Sequence, residues 1–161
     1  MSEIKNKIIF NLILLFCIFA LFAAYFIQYV LKHQPCNLCL IERIPYIFSI
    51  IVISICLFTK RFEKLSLIFL SLIFFSATLI AFYHFGIEQG FIKESLVCDL
   101  KNESNVLSKE ALLNQLKKMP VSCKDITFRV FGLSLATFNI FISLILSAIT
   151  TKLFLNYEKN K

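Results

Sequence analysis

Charge is what this 161-residue chain has least of. Asp, Glu, Lys and Arg make up 17% of it, and four stretches contain none of them: 8–31 (24 residues), 44–59 (16), 65–87 (23) and 130–151 (22). A helical bundle in water needs a polar face on each helix, so these runs exclude it. Glycine and proline are also scarce, three of each, and there is no internal repeat or low-complexity linker. We therefore read residues 1–161 as a single domain. No small-x-small site follows the first apolar run, and 24 residues is long against the roughly 7–15 of a signal-peptide core, which excludes a cleavable leader.

In place of charge there are apolar residues, 58% of the chain, including 19 Phe. A helix crossing the hydrocarbon core needs about 20 such residues at about 1.5 Å each. The expected fold is all-α, a four-transmembrane-helix bundle with spans near 8–31, 40–59, 65–87 and 130–151. The second uncharged run reaches only about 24 Å at that rise, so its helix must start upstream, near Asn37, a favourable N-cap. Pro45 is placed to kink it. Residues 108–119 read as a short amphipathic helix in the second outer loop, with Leu112, Leu113, Leu116 and Met119 on one face and Pro120 as its stop. Tyr25, Tyr29, Tyr46 and Tyr83 fall toward the outer span ends, as an interfacial aromatic belt would.

Lys and Arg are about twice as dense in the N-terminus, the 60–64 connection and the C-terminal tail as in 32–43 and 88–129. Both termini are therefore expected on the cytoplasmic side of a bacterial inner membrane. Most of the net charge of +7 lies on those inner segments, so it reflects topology and is no argument for nucleic acid.

Six cysteines divide by this topology. Cys17 and Cys56 lie inside spans and read as small apolar residues. Cys36, Cys39, Cys98 and Cys123 fall on connections one and three, which emerge on one face, here the side where disulfides persist. A zinc site would normally use two close pairs, and Cys98 and Cys123, 25 positions apart, are a poor second pair. Structural bracing explains Cys98 and Cys123, since closing such a loop stabilises by about 3 kcal/mol. It explains Cys36-Asn37-Leu38-Cys39 badly, because so tight a loop constrains little. A thiol–disulfide relay explains both, with one pair near the membrane and one on a loop able to meet a soluble partner.

A relay needs an electron sink. No haem ligation pattern, Rossmann glycine motif or flavin fingerprint is present, which leaves a lipid-soluble quinone. Arg43, four residues after Cys39, would share its helical face, favour a thiolate there and stabilise charge developing on quinone oxygens. The plainer alternative is an arginine snorkelling to headgroups.

With Pro35-Cys36-Asn37-Leu38-Cys39 after span one, Glu42-Arg43 following, Cys98 and Cys123 in the second outer loop, and Phe131-Gly132-Leu133-Ser134 opening span four, the chain resembles the DsbB family over nearly its whole length. Those are quinone-linked membrane oxidoreductases that reoxidise periplasmic DsbA. The resemblance implies that Cys39 faces the quinone (ubiquinone or menaquinone) and Cys36 exchanges with it. It further implies that Cys98 takes the mixed disulfide with a DsbA-like thiol oxidase, Cys123 exchanges with Cys36, and Arg43 contacts quinone. His84 matches a family histidine of that region; without the resemblance it reads as an interfacial residue. Two competitors remain open. A vitamin K epoxide reductase-like protein carries its Cys-x-x-Cys in the last helix, where 130–151 has no Cys. A four-span protein with merely structural outer disulfides would be indifferent to quinone.

Overall fold

The computed structural model describes residues 2–59, 62–93, 123, 129–130 and 132–159. Cys98 and the amphipathic segment 108–119 lie outside the described residues. Within them the chain is a bundle of four helices long and apolar enough to cross a membrane. We label the elements α1 (Ser2–Tyr29), α2 (Asn37–Ile41), α3 (Ile44–Thr59), α4 (Glu63–Glu88), β1 (Arg129–Val130), β2 (Leu133–Ser134) and α5 (Leu135–Lys159).

The end of α1 is set by its own carbonyls. The His33 N–H bonds the Ile27 carbonyl at 3.3 Å while Lys32 takes φ 56°, the left-handed conformation that often follows a helix end and is usually held by glycine. Pro35 then cannot continue a helix, and Cys36 is extended at φ −71°, ψ 168°. Cys36, rather than Asn37, is the N-cap of α2: its sulfur accepts the Cys39 N–H at 3.3 Å.

The second span is a broken helix. Pro45 has no N–H for the Ile41 carbonyl, so the α-helical ladder lapses at Glu42–Arg43. Arg43 N–H bonds Leu40 O at 3.2 Å, and Ile47 N–H resumes the ladder on Arg43 O at 3.2 Å. Together α2 and α3 run Asn37–Thr59, 23 residues. At about 1.5 Å each that is roughly 34 Å, enough to span, so the upstream start demanded by length is found.

The fourth span begins later than its uncharged run. Arg129–Val130 and Leu133–Ser134 form a two-strand antiparallel ladder, Arg129 opposite Ser134 and Val130 opposite Leu133, with Gly132 at φ +82° between them. A side chain there would be strained. Ser134 then caps α5, its Oγ accepting the Thr137 N–H at 3.2 Å.

Packing follows from side-chain size. α4 and α5 lie together along their length, and α3 packs on both α1 and α4. Ser66, Ala77 and Ala81 on α4 and Ala136, Ser143 and Thr150 on α5 are buried small residues that let backbones approach closely. The central core gathers Phe10, Ile13, Cys17, Tyr46, Ile53, Cys56, Leu67, Leu70, Phe74 and Leu146. Phe19, Phe22, Phe58, Phe82 and Phe141 point outward, where lipid replaces water as solvent. A second cluster at the other end joins Cys36, Leu38, Ile87 and Cys123, with Cys39, Ile41 and Tyr83 against it.

Candidate active site

Cys36 and Cys39 are free thiols whose sulfurs lie 2.9 Å apart in a shared hydrogen bond. The geometry follows from the local sequence: Pro35 holds the chain extended, Cys36 caps, and one turn of α2 brings Cys39 back over it. Cys36 is buried, and His84 Nε2 lies 3.5 Å from its sulfur. The hydrogen bond with Cys39 lowers the Cys36 thiol from an ordinary 9.0 to about 4; burial opposes this, and the contact with His84 adds to it. A thiolate at a helix N-cap also meets the positive end of the helix dipole.

Behind His84 lies a buried polar chain. His84, 2% exposed, places Nδ1 2.7 Å from Glu42 Oε1. Asn139 donates its Nδ2–H to Glu42 Oε2 at 2.8 Å, and the Tyr46 hydroxyl donates to Asn139 Oδ1. Ser143 Oγ also donates to Asn139 Oδ1, at 3.3 Å. Glu88, one turn after His84, sets Oε1 3.8 Å from Nε2. Three spans thus converge on the thiol pair, and each oxygen of the Glu42 carboxylate has a donor.

On the other side of Glu42 is a half-enclosed cavity of about 330 Å³ between α1, α5 and the α2–α3 junction. Phe16, Phe19, Phe138 and Ile142 supply apolar wall, and Cys39, Glu42, Arg43, Gln28 and His33 the polar end. Cys36 and His84 are not among its lining residues. Arg43 is held at the rim: Nη1 donates to Gln28 Oε1 at 2.6 Å, and the guanidinium sits 4.9 Å from the Tyr25 ring centroid. The helix breaks between Cys39 and Arg43, yet both reach the same cavity.

Of the residues singled out in the sequence, Cys36, Cys39, Arg43 and His84 are therefore brought to one end of the bundle. Cys123 is disulfide-bonded and buried in the cluster that contains Cys36. Cys98 lies outside the described residues, and Cys17 and Cys56 are buried in the central core. His84 is buried where an interfacial residue was the plainer expectation, and Tyr46 is buried and hydrogen-bonded instead of sitting in a belt. Sequence reasoning missed Asn139, Gln28 and Glu88, and gave Glu42 no role. A signal was available: Gln28, His84 and Asn139 are polar residues inside uncharged runs, which a membrane span seldom tolerates without a partner.

A family model described as disulfide bond formation protein DsbB matches residues 6–153. The chain is also similar to the uncharacterized protein RP370 of Rickettsia prowazekii (strain Madrid E), 28% identical over 141 residues, covering 86% of this chain and 82% of the relative. No solved structure matches.

Proposed function

Since the chain belongs to the DsbB family and is a multi-pass disulfide bond formation protein, we propose that it reoxidises a DsbA-like thiol oxidase in the periplasm and passes the electrons to a membrane quinone. It does so as a single domain in the bacterial inner membrane, with both termini cytoplasmic. The observation that carries this reading is the cavity: apolar walls for a prenylated ring, and at its polar end one thiol of the pair beside a fixed guanidinium.

The residues fit such a ligand. Bound quinone supplies an acceptor for two electrons and two protons. Cys39 is the thiol that faces the cavity, and Cys36 is the partner that closes the disulfide onto it. The 2.9 Å separation and the depressed Cys36 thiol support that division. Arg43, oriented by Gln28 and Tyr25, holds positive charge at the polar end of the cavity. His84 acts on Cys36, with Nδ1 committed to Glu42 and Nε2 toward the sulfur. Cys123 exchanges with Cys36, supported by its burial in the same cluster, and Cys98 takes the mixed disulfide with the soluble partner. Each exchange moves two electrons inward, from the partner dithiol to Cys98–Cys123 and on to Cys36–Cys39, while the disulfide passes outward the opposite way and ends on the partner.

Proteoliposomes containing the protein, with and without quinone, test this against a reduced DsbA-like dithiol. The expected result is one partner disulfide formed per quinone reduced and no turnover without quinone. Equal partner oxidation in quinone-free vesicles under anaerobic conditions would overturn it.

A further inference from the structure

The reduced thiol pair stands in a cluster of metal-ligating groups that includes one carboxylate the exchange chemistry does not use. Cys36 Sγ, Cys39 Sγ and a ring nitrogen of His84 all lie within 4.8 Å of one another. Glu88 adds a carboxylate, Oε1 3.8 Å from His84 Nε2, on a side chain only 6% exposed. Its Oε2 is buried with no hydrogen-bond partner among the described residues, although the Ser134 hydroxyl reaches the carboxylate. A buried carboxylate oxygen without a donor is costly, and native proteins usually leave one only where something else meets it. The geometry points to a four-donor site for a thiophilic divalent cation of the zinc class, built from reduced Cys36 and Cys39, His84 Nε2 and the Glu88 carboxylate.

The distances suit tetrahedral coordination. With Zn–S near 2.3 Å and Zn–N near 2.0–2.1 Å, a sulfur and a nitrogen on one ion stand about 3.5 Å apart, and a nitrogen and an oxygen about 3.4 Å. Cys36 to His84 is 3.5 Å and His84 to Glu88 is 3.8 Å. Two sulfurs on one such ion stand about 3.8 Å apart, so the pair must part from 2.9 Å by side-chain rotation. The outer shell is already assembled. Ligating histidines usually give their other N–H to a carboxylate, which fixes the ring and the tautomer. Here Nδ1 meets Glu42 at 2.7 Å, and Asn139 holds the far oxygen of Glu42 at 2.8 Å. This site differs from a Cys₄ arrangement with the outer pair, since Cys98 and Cys123 take no part. A cation bound there ties up both thiolates, so metal binding and the Cys36–Cys39 disulfide exclude each other.

The test uses the full-length protein in detergent, reduced, freed of reductant and kept anaerobic, with Co²⁺ alone as the probe. Neither quinone nor a partner protein is present, so the result is independent of the function proposed above. We expect one Co²⁺ per chain, sulfur-to-cobalt charge-transfer bands in the near ultraviolet, tetrahedral d–d bands in the visible, and displacement by Zn²⁺. Protein oxidised with diamide should show none of these. Cys36→Ser and Cys39→Ser should each abolish the charge-transfer signal of a two-thiolate site. Glu88→Gln should weaken binding at least tenfold, and Glu42→Gln, acting through His84, about 10–100-fold. The double variant Cys98→Ser/Cys123→Ser should bind as the parent does. Helical circular dichroism and diamide closure of Cys36–Cys39 check that the Glu88→Gln site is intact. Unchanged affinity in a folded Glu88→Gln, loss of binding in the outer-pair double variant, or absence of sulfur-to-cobalt bands in the parent would each overturn the assignment.

Discussion

Glu42→Ala removes the carboxylate that organises the Cys36 end of the bundle, and its cost can be worked from the contacts. Glu42 is buried and takes Nδ1 of His84 at 2.7 Å and Nδ2–H of Asn139 at 2.8 Å. Hydrogen bonds to a charged group are worth about 1.5–3 kcal/mol each, and deleting one side of a buried pair costs about 3–5 kcal/mol because the partner is left without its counterpart. We take the second range as the net effect. For a chain of this size about 1 kcal/mol moves Tm by roughly 2–4 °C, so Glu42→Ala should lower it by about 6–20 °C. Glu42→Gln keeps the shape and one acceptor oxygen and should lose less than half as much. The assay is thermal unfolding in detergent followed by a thiol-reactive dye, with the other four cysteines held as disulfides. Cys17 and Cys56, both buried in the central core, then report unfolding. A Glu42→Ala Tm within about 2 °C of the parent would show that His84 and Asn139 find equal partners elsewhere and that Glu42 does not hold this end of the bundle.

Three further outcomes follow from the site. The Cys36 thiol sits near 4, so in reduced, metal-free protein its alkylation rate should stay flat from about pH 5.5 to pH 8 and fall only on acidification toward about pH 4; an ordinary thiol climbs about tenfold per unit over that range, and such a climb at Cys36, mapped by peptide mass, would contradict the lowered value. Arg43→Gln should lower kcat with a soluble quinone about 10²–10³-fold and raise KM, while Arg43→Lys retains part of the rate; normal constants in Arg43→Gln would reduce Arg43 to a snorkelling anchor. Cys98→Ala or Cys123→Ala should stop oxidation of the DsbA-like partner yet leave quinone reduction by a small dithiol within about twofold; if either variant loses quinone reduction as completely as Cys39→Ala, the two pairs do not act in series.

Three of the four spans were legible because a membrane helix announces itself by what it excludes, and uncharged runs of 22–24 residues have no competing explanation. The second span needed arithmetic as well, and the length deficit correctly drew the helix start back to the Cys-x-x-Cys. The late start of α5 was missed because 130–134 is as apolar as the helix it precedes, and only Gly132 marks the turn. The polar chain was harder to read. His84 meets Cys36 across 48 positions, Glu42 meets His84 across 42, and Asn139 meets Glu42 across 97, so no local pattern records the pairing. Arg43 and Glu42 adjoin an uncharged run, where charge is ordinarily read as orientation. Asn139 was the clearest overlooked signal, an amide within an apolar span that must find a partner there.

Electrons from the Cys36–Cys39 dithiol are proposed to leave through quinone. Trapping thiols with an alkylating reagent in membranes of quinone-deficient cells, and mapping which cysteines are modified, tests it most directly. Cys36 and Cys39 are expected to be reduced there and disulfide-bonded when quinone is restored. A Cys36–Cys39 pair that stays oxidised without quinone would contradict it.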